Sequence, residues 1–407
     1  MHCIGHAFNF YSISTQTSDD LTCLFRNFFH ATHEIPKFHY WCWQTITGVT
    51  GIFLTLLTAL IFIFALPFAR TRLYNAFWFT HSLYPLFYIL MILHGAGRLV
   101  QPPFFYYFFL GPSILFTIDR VISIRRKKVE IPVFKAELLS SVTFLEIKKP
   151  NNFEYKSGQW VRIACPALNT SEYHPFTLSS SPDENNLTVH IRAVGPWTTN
   201  IRILYDPNIL REKPLPKIHL DGPYGEGHQD WYQFDVAVLV GGGIGVTPFA
   251  SILKDIVFRA NMKSHRVCKK VYFLWVTKTQ KHFEWLVDII RELENADKAK
   301  VVSTHIFITQ FYQKFDLRTI LLYICERHFQ RLSDRSLLTG LKAVTHFGRP
   351  NFTQFFKSIQ ALNPKVRKVG VFSCGPPPMT QNVDKACLGL NKETVNGPIF
   401  QHHFKNF

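Results

Sequence analysis

Leu73-Tyr-Asn-Ala-Phe-Trp-Phe-Thr-His-Ser-Leu-Tyr-Pro-Leu-Phe-Tyr-Ile-Leu-Met-Ile-Leu-His-Gly-Ala-Gly97 holds no charged side chain and two histidines, His81 and His94. The stretch is long enough to cross a bilayer as a helix. Imidazoles inside such a helix are costly and usually functional. The two lie thirteen positions apart, roughly 20 Å along a helix axis. One imidazole therefore falls near each side of a hydrocarbon core ~30 Å thick. That placement suits axial ligands of two stacked haems, one per leaflet, because imidazole is a regular haem-iron ligand. It equally suits two histidines hydrogen-bonded to neighbouring helices. Thirteen steps of ~100° do not return to one helix face, and Pro85, between the two, is placed to kink the helix and correct this.

Working outward, two more long apolar runs precede residue 125 and none follows it. The expected spans are Trp43 to Phe68, Phe77 to Gly97 and Phe104 to Ile122. Met1-His-Cys-Ile-Gly-His-Ala-Phe-Asn-Phe10 reads as the end of another helix, and no signal peptide is visible. The chain is thus expected to be a piece of a longer protein. Its net charge of +17 has a layout: Arg70 and Arg72, then Arg125-Arg126-Lys127-Lys128, flank the spans. By the positive-inside rule both clusters are cytosolic. Residues 14–40 and 96–103 then face outward, and everything after 125 is cytosolic. The basic balance carries no nucleic-acid motif, so no nucleic-acid partner is expected. The eight cysteines form no CxxC pair, which argues against zinc or iron–sulfur sites. Five of them follow residue 125, where a cytosolic setting disfavours disulfides. The sequons at Asn169, Asn186 and Asn351 are on the same side and are expected to be unused.

Beyond the membrane part, residues 129–231 read as short strands separated by turns: Val133 to Leu139, Val142 to Ile147, Trp160 to Ala164, Leu187 to Arg192 and Lys217 to Asp221. That spacing predicts an antiparallel barrel. From residue 232 the pattern changes. Buried strand runs at Phe234 to Val240, Val271 to Thr277, Val302 to Thr309 and Lys368 to Ser373 alternate with helical stretches, which predicts a parallel α/β sheet. The expected organisation is therefore 1–124 membrane, 129–231 barrel and 232–407 α/β.

Four motifs carry chemistry. Gly241-Gly-Gly-Ile-Gly-Val-Thr-Pro248 joins a strand to a helix; glycines let a backbone approach a pyrophosphate, and a helix N-terminus favours its charge. It is not GxGxxG, and a plain tight turn also accounts for it. His174-Pro-Phe-Thr177, with Arg192 further on, offers a ring-packing surface, a hydroxyl and a guanidinium matched to phosphate. An ordinary strand with an exposed arginine is the alternative. Ser373-Cys-Gly-Pro-Pro-Pro378 places Cys374 and a tight turn at the carboxyl edge of the sheet, where α/β sheets bind ligands; alone, Cys374 reads as a buried structural cysteine. His402-His-Phe-Lys-Asn-Phe407 ends in an aromatic suited to stacking on a flavin, although such a tail frays by default.

Taken in order, HPFT, GGGIGVTPF, CGP and a terminal aromatic resemble the ferredoxin–NADP reductase superfamily. Joined to a two-histidine membrane helix, they resemble the NADPH oxidases, and the dual oxidase branch in particular. Lys156 to Cys165, His190 to Thr199, Gly225 to Gln229, Phe315 to Thr319, Cys325 to Gln330 and Thr345 to Pro350 carry that likeness, which spans essentially the whole chain. It implies a partial transmembrane helical bundle followed by an antiparallel β-barrel FAD domain and a parallel-sheet NADPH domain. It also implies that a peroxidase-like domain, an EF-hand region and earlier helices lie outside these residues.

The resemblance further implies roles. His2 and His94 would ligate an outer haem b, His81 an inner one whose second ligand lies outside the chain, and His6 would stand where oxygen is reduced. Ser82 stands where the family often has a second histidine; ligation by His81 is unaffected. His174, Pro175, Phe176, Thr177, Arg192 and Phe407 would hold FAD, with Trp197 and Thr198 at a phosphate-proximal turn. Gly241, Gly242, Gly243, Gly245, Thr247, Pro248 and Cys374 would hold NADPH, with Arg349 and Lys278 on its 2′-phosphate. Lys278 stands where the family usually has arginine, and lysine lacks the bidentate fork, so the preference for NADPH is weakened; solvated surface charge is the alternative for it. The implied activity is plasma-membrane transfer of electrons from cytosolic NADPH to outer oxygen, giving superoxide and hydrogen peroxide. Membrane lipid and a membrane maturation factor are the implied partners, and calcium control is a property of the branch. Two alternatives stand beside it: a metalloreductase of the same superfamily, and a non-catalytic membrane scaffold.

Overall fold

The computed structural model describes residues 2–17, 38–97, 103–126, 130–168, 172–211, 213–226, 229–262, 268–278, 284–310, 317–393 and 397–405. The chain divides into two compact units, 1–122 and 123–407.

The first unit is helical. Among the described residues, three helices, Ile46–Ala65, Tyr74–Gly95 and Phe105–Ile124, are long and apolar enough to cross a membrane, with mean hydropathies of 2.3, 1.5 and 1.4. Their apolar side chains face outward, as a lipid solvent requires. Helix Ile46–Ala65 starts at a hydroxyl cap, Thr45, whose side chain accepts from the Gly48 N–H. The second span is broken: helix Tyr74–His81 ends at a turn over Ser82 and Leu83, and helix Tyr84–Gly95 restarts with Pro85 in its first turn. Proline has no N–H to continue the first helix and a backbone preset for the second. The break thus falls between the two histidines. A further helix, His2–Ser14, packs Phe10 on Trp41.

The second unit contains two cores. In the barrel, strand β1 is Glu130–Ile131, β2 Val133–Leu138, β3 Val142–Lys148, β4 Trp160–Ala164, β5 His174–Thr177, β6 Asn186–Arg192 and β7 Ile218–Tyr224. They form two antiparallel sheets, β1-β7-β4-β5 and β2-β3-β6. A bridge between Leu178 and Val189 joins β5 to β6, and only Pro132 separates β1 from β2, so the wall comes round on itself. Alternate residues point inward: Leu145, Ile147, Val161, Ile163, Leu187, Val189 and Ile191 are fully buried. Helix Pro196–Leu204 follows β6.

In the α/β part, β8 is Val236–Gly242, β9 Lys270–Thr277, β10 Val302–Ile308, β11 Val344–Phe347, β12 Lys368–Cys374 and β13 Ile399–Lys405. The sheet is wholly parallel, in the order β11-β10-β9-β8-β12-β13. Helices Thr247–Asn261 and Glu284–Ala296 cover one face, and Phe352–Leu362 and Pro377–Glu393 the other. Strands buried on both faces read as continuous apolar runs, as β8 and β9 do. Sequence order reverses between β8 and β12, and that switch point opens a crevice at the strands' carboxyl ends.

Two expectations need correcting. Among the described residues the sheet has six strands rather than the four read from the sequence: β11 and β13 are the additions. The tail does not fray through residue 405. His402 accepts a hydrogen bond from Ser373 Oγ at 2.7 Å and donates to Asp384 at 3.0 Å, which ties β13 to its neighbours. The prolines after Cys374 also open a helix, Pro377–Glu393, beyond their turn.

Candidate functional site

In the helical unit, His2, His6 and His94 bring their ring nitrogens within 4.8 Å of one another. His2 and His6 stand one turn apart on one helix face, with ring centroids 4.4 Å apart. Each is 6.0 Å from the His94 ring. Two features of helix Ile46–Ala65 orient His94. A methyl at Gly51 would come within 3.1 Å of His94 Cε1, so glycine makes room for the ring. Thr50 Oγ1 lies 3.1 Å from His94 Nδ1 and donates its own proton to the Ile46 carbonyl at 2.6 Å. Its oxygen is therefore the acceptor, Nδ1 carries the proton, and Nε2 keeps its lone pair. This donor set, imidazoles of which one is fixed by an outer hydrogen bond, fits a haem iron. His81 stands apart, stacked on Phe77 at 5.4 Å. Thr50 and Gly51 had a faint sequence signal, the run of small residues Thr47, Gly48, Thr50 and Gly51 at helix-packing spacing.

In the barrel, β5 presents the His174–Thr177 motif beside β4, with Trp160 opposite Thr177. Trp197, expected at a phosphate-proximal turn, stands in the first turn of helix Pro196–Leu204. Its ring packs 4.2 Å from His174 and 5.7 Å from Phe176, because helix Pro196–Leu204 turns it inward. Its indole N–H is buried without a partner among the described residues. A buried orphan donor beside two rings fits a polar cofactor such as FAD. Thr198 Oγ1 accepts from the Val194 and Gly195 N–H groups at 3.0 Å each, closing the turn itself. Burial and the Asp221 carboxylate push the neighbouring Tyr173 phenol up to about 12, so its hydroxyl stays protonated. Burial drives His190 down to about 3; it stays neutral, 2.8 Å from Ser179 Oγ, and steadies the segment after the motif.

At the crevice of the sheet, the glycine turn follows β8. Cys374 ends β12 in register with Gly241 and is buried. The approach is close: a methyl at Gly245 would lie 2.6 Å from the Cys374 carbonyl oxygen, and one at Gly242 2.9 Å from Pro376 and Met379. Gly243 differs. It has φ +57° and nothing within 4 Å of its would-be methyl, leaving room beside the backbone. Thr247 Oγ1 donates to the Ile244 carbonyl at 2.6 Å, and Pro248 opens the helix. Farther along the same edge, exposed Lys278 follows β9 and exposed Arg349 follows β11. β10 separates them, so they flank the edge about 10 Å apart by strand spacing.

A cavity of about 340 Å³ joins barrel and sheet. Ser140, Ser141, Val142 and Arg192 line it from the barrel, and Gly242, Gly243, Thr277, Lys278, Pro376 and Met379 from the sheet. Arg192 is therefore brought to the glycine turn, whereas His174–Thr177 do not line this cavity. Its lining follows the strand ends and includes Gly243, whose open side leaves room for a phosphate. Ser140 and Ser141 escaped the sequence reading, since a serine pair between two strands looks like any turn. Phe407 lies outside the described residues.

Residues 123–228 match the family model for an FAD-binding domain, and residues 234–388 the one for a ferric reductase NAD binding domain. Dual oxidase 1 of Homo sapiens is 55% identical over 411 aligned positions, covering 100% of this chain and 26% of that protein. Dual oxidase of Drosophila melanogaster is 50% identical, covering 100% of this chain and 27% of its own. The chain thus spans about a quarter of the length of these relatives. A ferredoxin NADP+ reductase from Neisseria gonorrhoeae, solved with bound FAD and NADP, is a distant likeness: TM-score 0.44 and 15% identity, over 68% of this chain and 98% of that one.

Proposed function

Because the chain belongs to the NADPH oxidase family, homologous to the dual oxidases along its whole length, we propose that it forms the electron-carrying part of a transmembrane oxidase. Electrons pass from cytosolic NADPH, by way of FAD and two haems, to oxygen on the outer side, and superoxide or hydrogen peroxide results. The observation that carries this reading is a cavity lined both by Arg192 of the barrel and by the glycine turn of the sheet, which sets residues proposed for the two cofactors side by side. When bound, the cofactors supply the hydride and one-electron chemistry; the chain binds and orients them.

Gly241, Gly242, Gly243, Gly245, Thr247 and Pro248 take the NADPH pyrophosphate, Cys374 borders the nicotinamide, and Lys278 and Arg349 receive the 2′-phosphate. His174, Pro175, Phe176 and Thr177 take the flavin, with Trp197 packed behind them, Thr198 shaping the turn, Arg192 on phosphate and Phe407 on the ring. His2 and His94 hold the outer haem, His81 the inner one, and His6 stands beside the oxygen site. The protein resides in the plasma membrane with its second unit cytosolic, and a membrane maturation factor is its partner.

The test is NADPH-dependent hydrogen peroxide release from membranes carrying the full-length parent, wild type beside His94→Leu. Release that collapses in the variant, while flavin-level dye reduction persists, is the expected outcome. Reduction of an external ferric chelate in place of peroxide release would replace the oxidase by a metalloreductase.

A further inference from the structure

Helix Thr247–Asn261, which opens straight after the glycine turn, is bonded to the flavin barrel through one of its faces. Ser251 Oγ donates to the Ser180 carbonyl at 2.6 Å, and both residues are fully buried. One turn on, Asp255 accepts from Ser157 Oγ at 2.8 Å and from Arg259 at 2.6 Å, itself only 4% exposed. Between them Lys254 reaches Glu184 at 3.1 Å.

The barrel anchors are placed with respect to the motif. Ser180 lies three residues after Thr177, and Ser157 three residues before Trp160. Thr177 and Trp160 are opposite each other across β4 and β5. The two anchors thus bracket the end of the strand that carries the flavin motif. They are themselves stiff: Tyr155 OH donates to the Ser181 carbonyl at 2.7 Å, and Ser180 Oγ accepts from the Thr188 N–H at 3.1 Å. On the other side, Ser251 and Asp255 share a helix face by their i, i+4 spacing, four and eight residues after Thr247. Both bonds are buried, and each leaves an unsatisfied polar group if the domains slide.

Resting on the function proposed above, we infer that Ser157, Ser251 and Asp255 are positioning residues: a polar clasp that holds the nicotinamide-binding turn in register with the flavin-binding strand. None of the three is among the residues assigned above to a cofactor. They would fix the distance between the two binding sites, and small errors in the placement of reacting groups lower a rate steeply.

The test uses the full chain, purified with FAD, with NADPH as donor and a soluble dye that takes electrons from the flavin. Ser157→Ala combined with Ser251→Ala should lower kcat about tenfold and leave KM for NADPH within about twofold. Asp255→Asn, which keeps an oxygen acceptor for Ser157, should stay near wild type, and Asp255→Leu should not. Backbone amide exchange of the double variant should quicken together in 156–159, 178–181 and 249–256 and nowhere else in the two cores. An unchanged kcat with faster exchange would make the contact merely structural and overturn the proposal, as would unchanged exchange. A wild type that never reduces its flavin from NADPH would sink the proposed function instead; amide exchange then decides on the clasp by itself.

Discussion

Gly245→Ala tests whether the glycine turn and Cys374 form one binding site. The added methyl would lie 2.6 Å from the Cys374 carbonyl oxygen, 2.9 Å from its carbon and 3.0 Å from Gly375 Cα. Every one of these atoms is backbone, so no side chain can swing aside. To reach ordinary contact at 3.4 Å, the turn or the end of β12 must retreat by about 0.8 Å. Overpacking of this kind costs about 1–3 kcal/mol. If the free protein absorbs it, thermal stability falls; if the turn moves, NADPH binding weakens by about 5- to 150-fold. Gly243→Ala is the control. Its methyl meets open space, and the cost is that of a left-handed alanine at φ +57°, about 1–2 kcal/mol, with no movement of Cys374. The assays are NADPH titration followed by flavin reduction, and melting of the purified chain. A Gly245→Ala protein with both the wild-type melting point and the wild-type NADPH affinity would refute the close approach on which the site is built.

Other outcomes follow from single contacts. Lys278→Ala should raise KM for NADPH about tenfold, as the loss of one charge-assisted bond does, and leave KM for NADH unchanged; equal losses for both would return Lys278 to plain surface charge. Thr50→Val removes the acceptor that orients His94 and should lower haem retention about 10- to 100-fold, read from the Soret absorbance per purified chain. On the sheet, His305 and His346 share a hydrogen bond at 3.1 Å, and burial pushes both down to about 4. Their folded values lie below the unfolded 6.5, so the unfolded chain takes up protons first as pH falls. The stability they contribute is fully present above about 6.5 and is lost between there and about 4. Melting against pH should slope over that window and flatten in the His305→Phe, His346→Phe double variant; an unaltered slope would remove the pair from the acid response.

What the sequence reveals depends on which way side chains point. β8 and β9 are legible because both faces of the sheet are covered and every position is apolar. The barrel is legible strand by strand, but its closure is not, because the Leu178–Val189 bridge leaves no local pattern. β13 is illegible because it is an edge strand held by polar groups: His402 is fixed by Ser373 and Asp384, contacts that no periodicity announces. Helix Leu317–Ser333 is inverted, with Leu321, Ile324 and Leu332 exposed and Glu326 buried beneath the Leu337 N–H, so its apolar pattern gives no inward stripe. At the site, glycines and motif residues are readable because chemistry restricts them to few residue types. The packing of Trp197 on His174 and Phe176 is not readable, because a large ring near a turn says nothing about which side it packs.

The histidine cluster shows how far geometry goes before orientation must be added. His2 and His6 are equally far from His94, so distance alone does not choose the partner. On the proposed topology, helix His2–Ser14 and helix Tyr84–Gly95 both run toward the outer face. His6 then lies one turn, about 6 Å, nearer that face than His2. If His94 and His2 are the pair that would hold the haem, His6 would stand on the outer side, with an imidazole able to donate a hydrogen bond to oxygen. If His94 and His6 were the pair that would hold the haem, His2 would be left one turn farther from that face, without a role in ligation. The two arrangements part experimentally: His2→Leu should abolish the outer haem signal, whereas His6→Leu should keep the haem and slow only its reaction with oxygen.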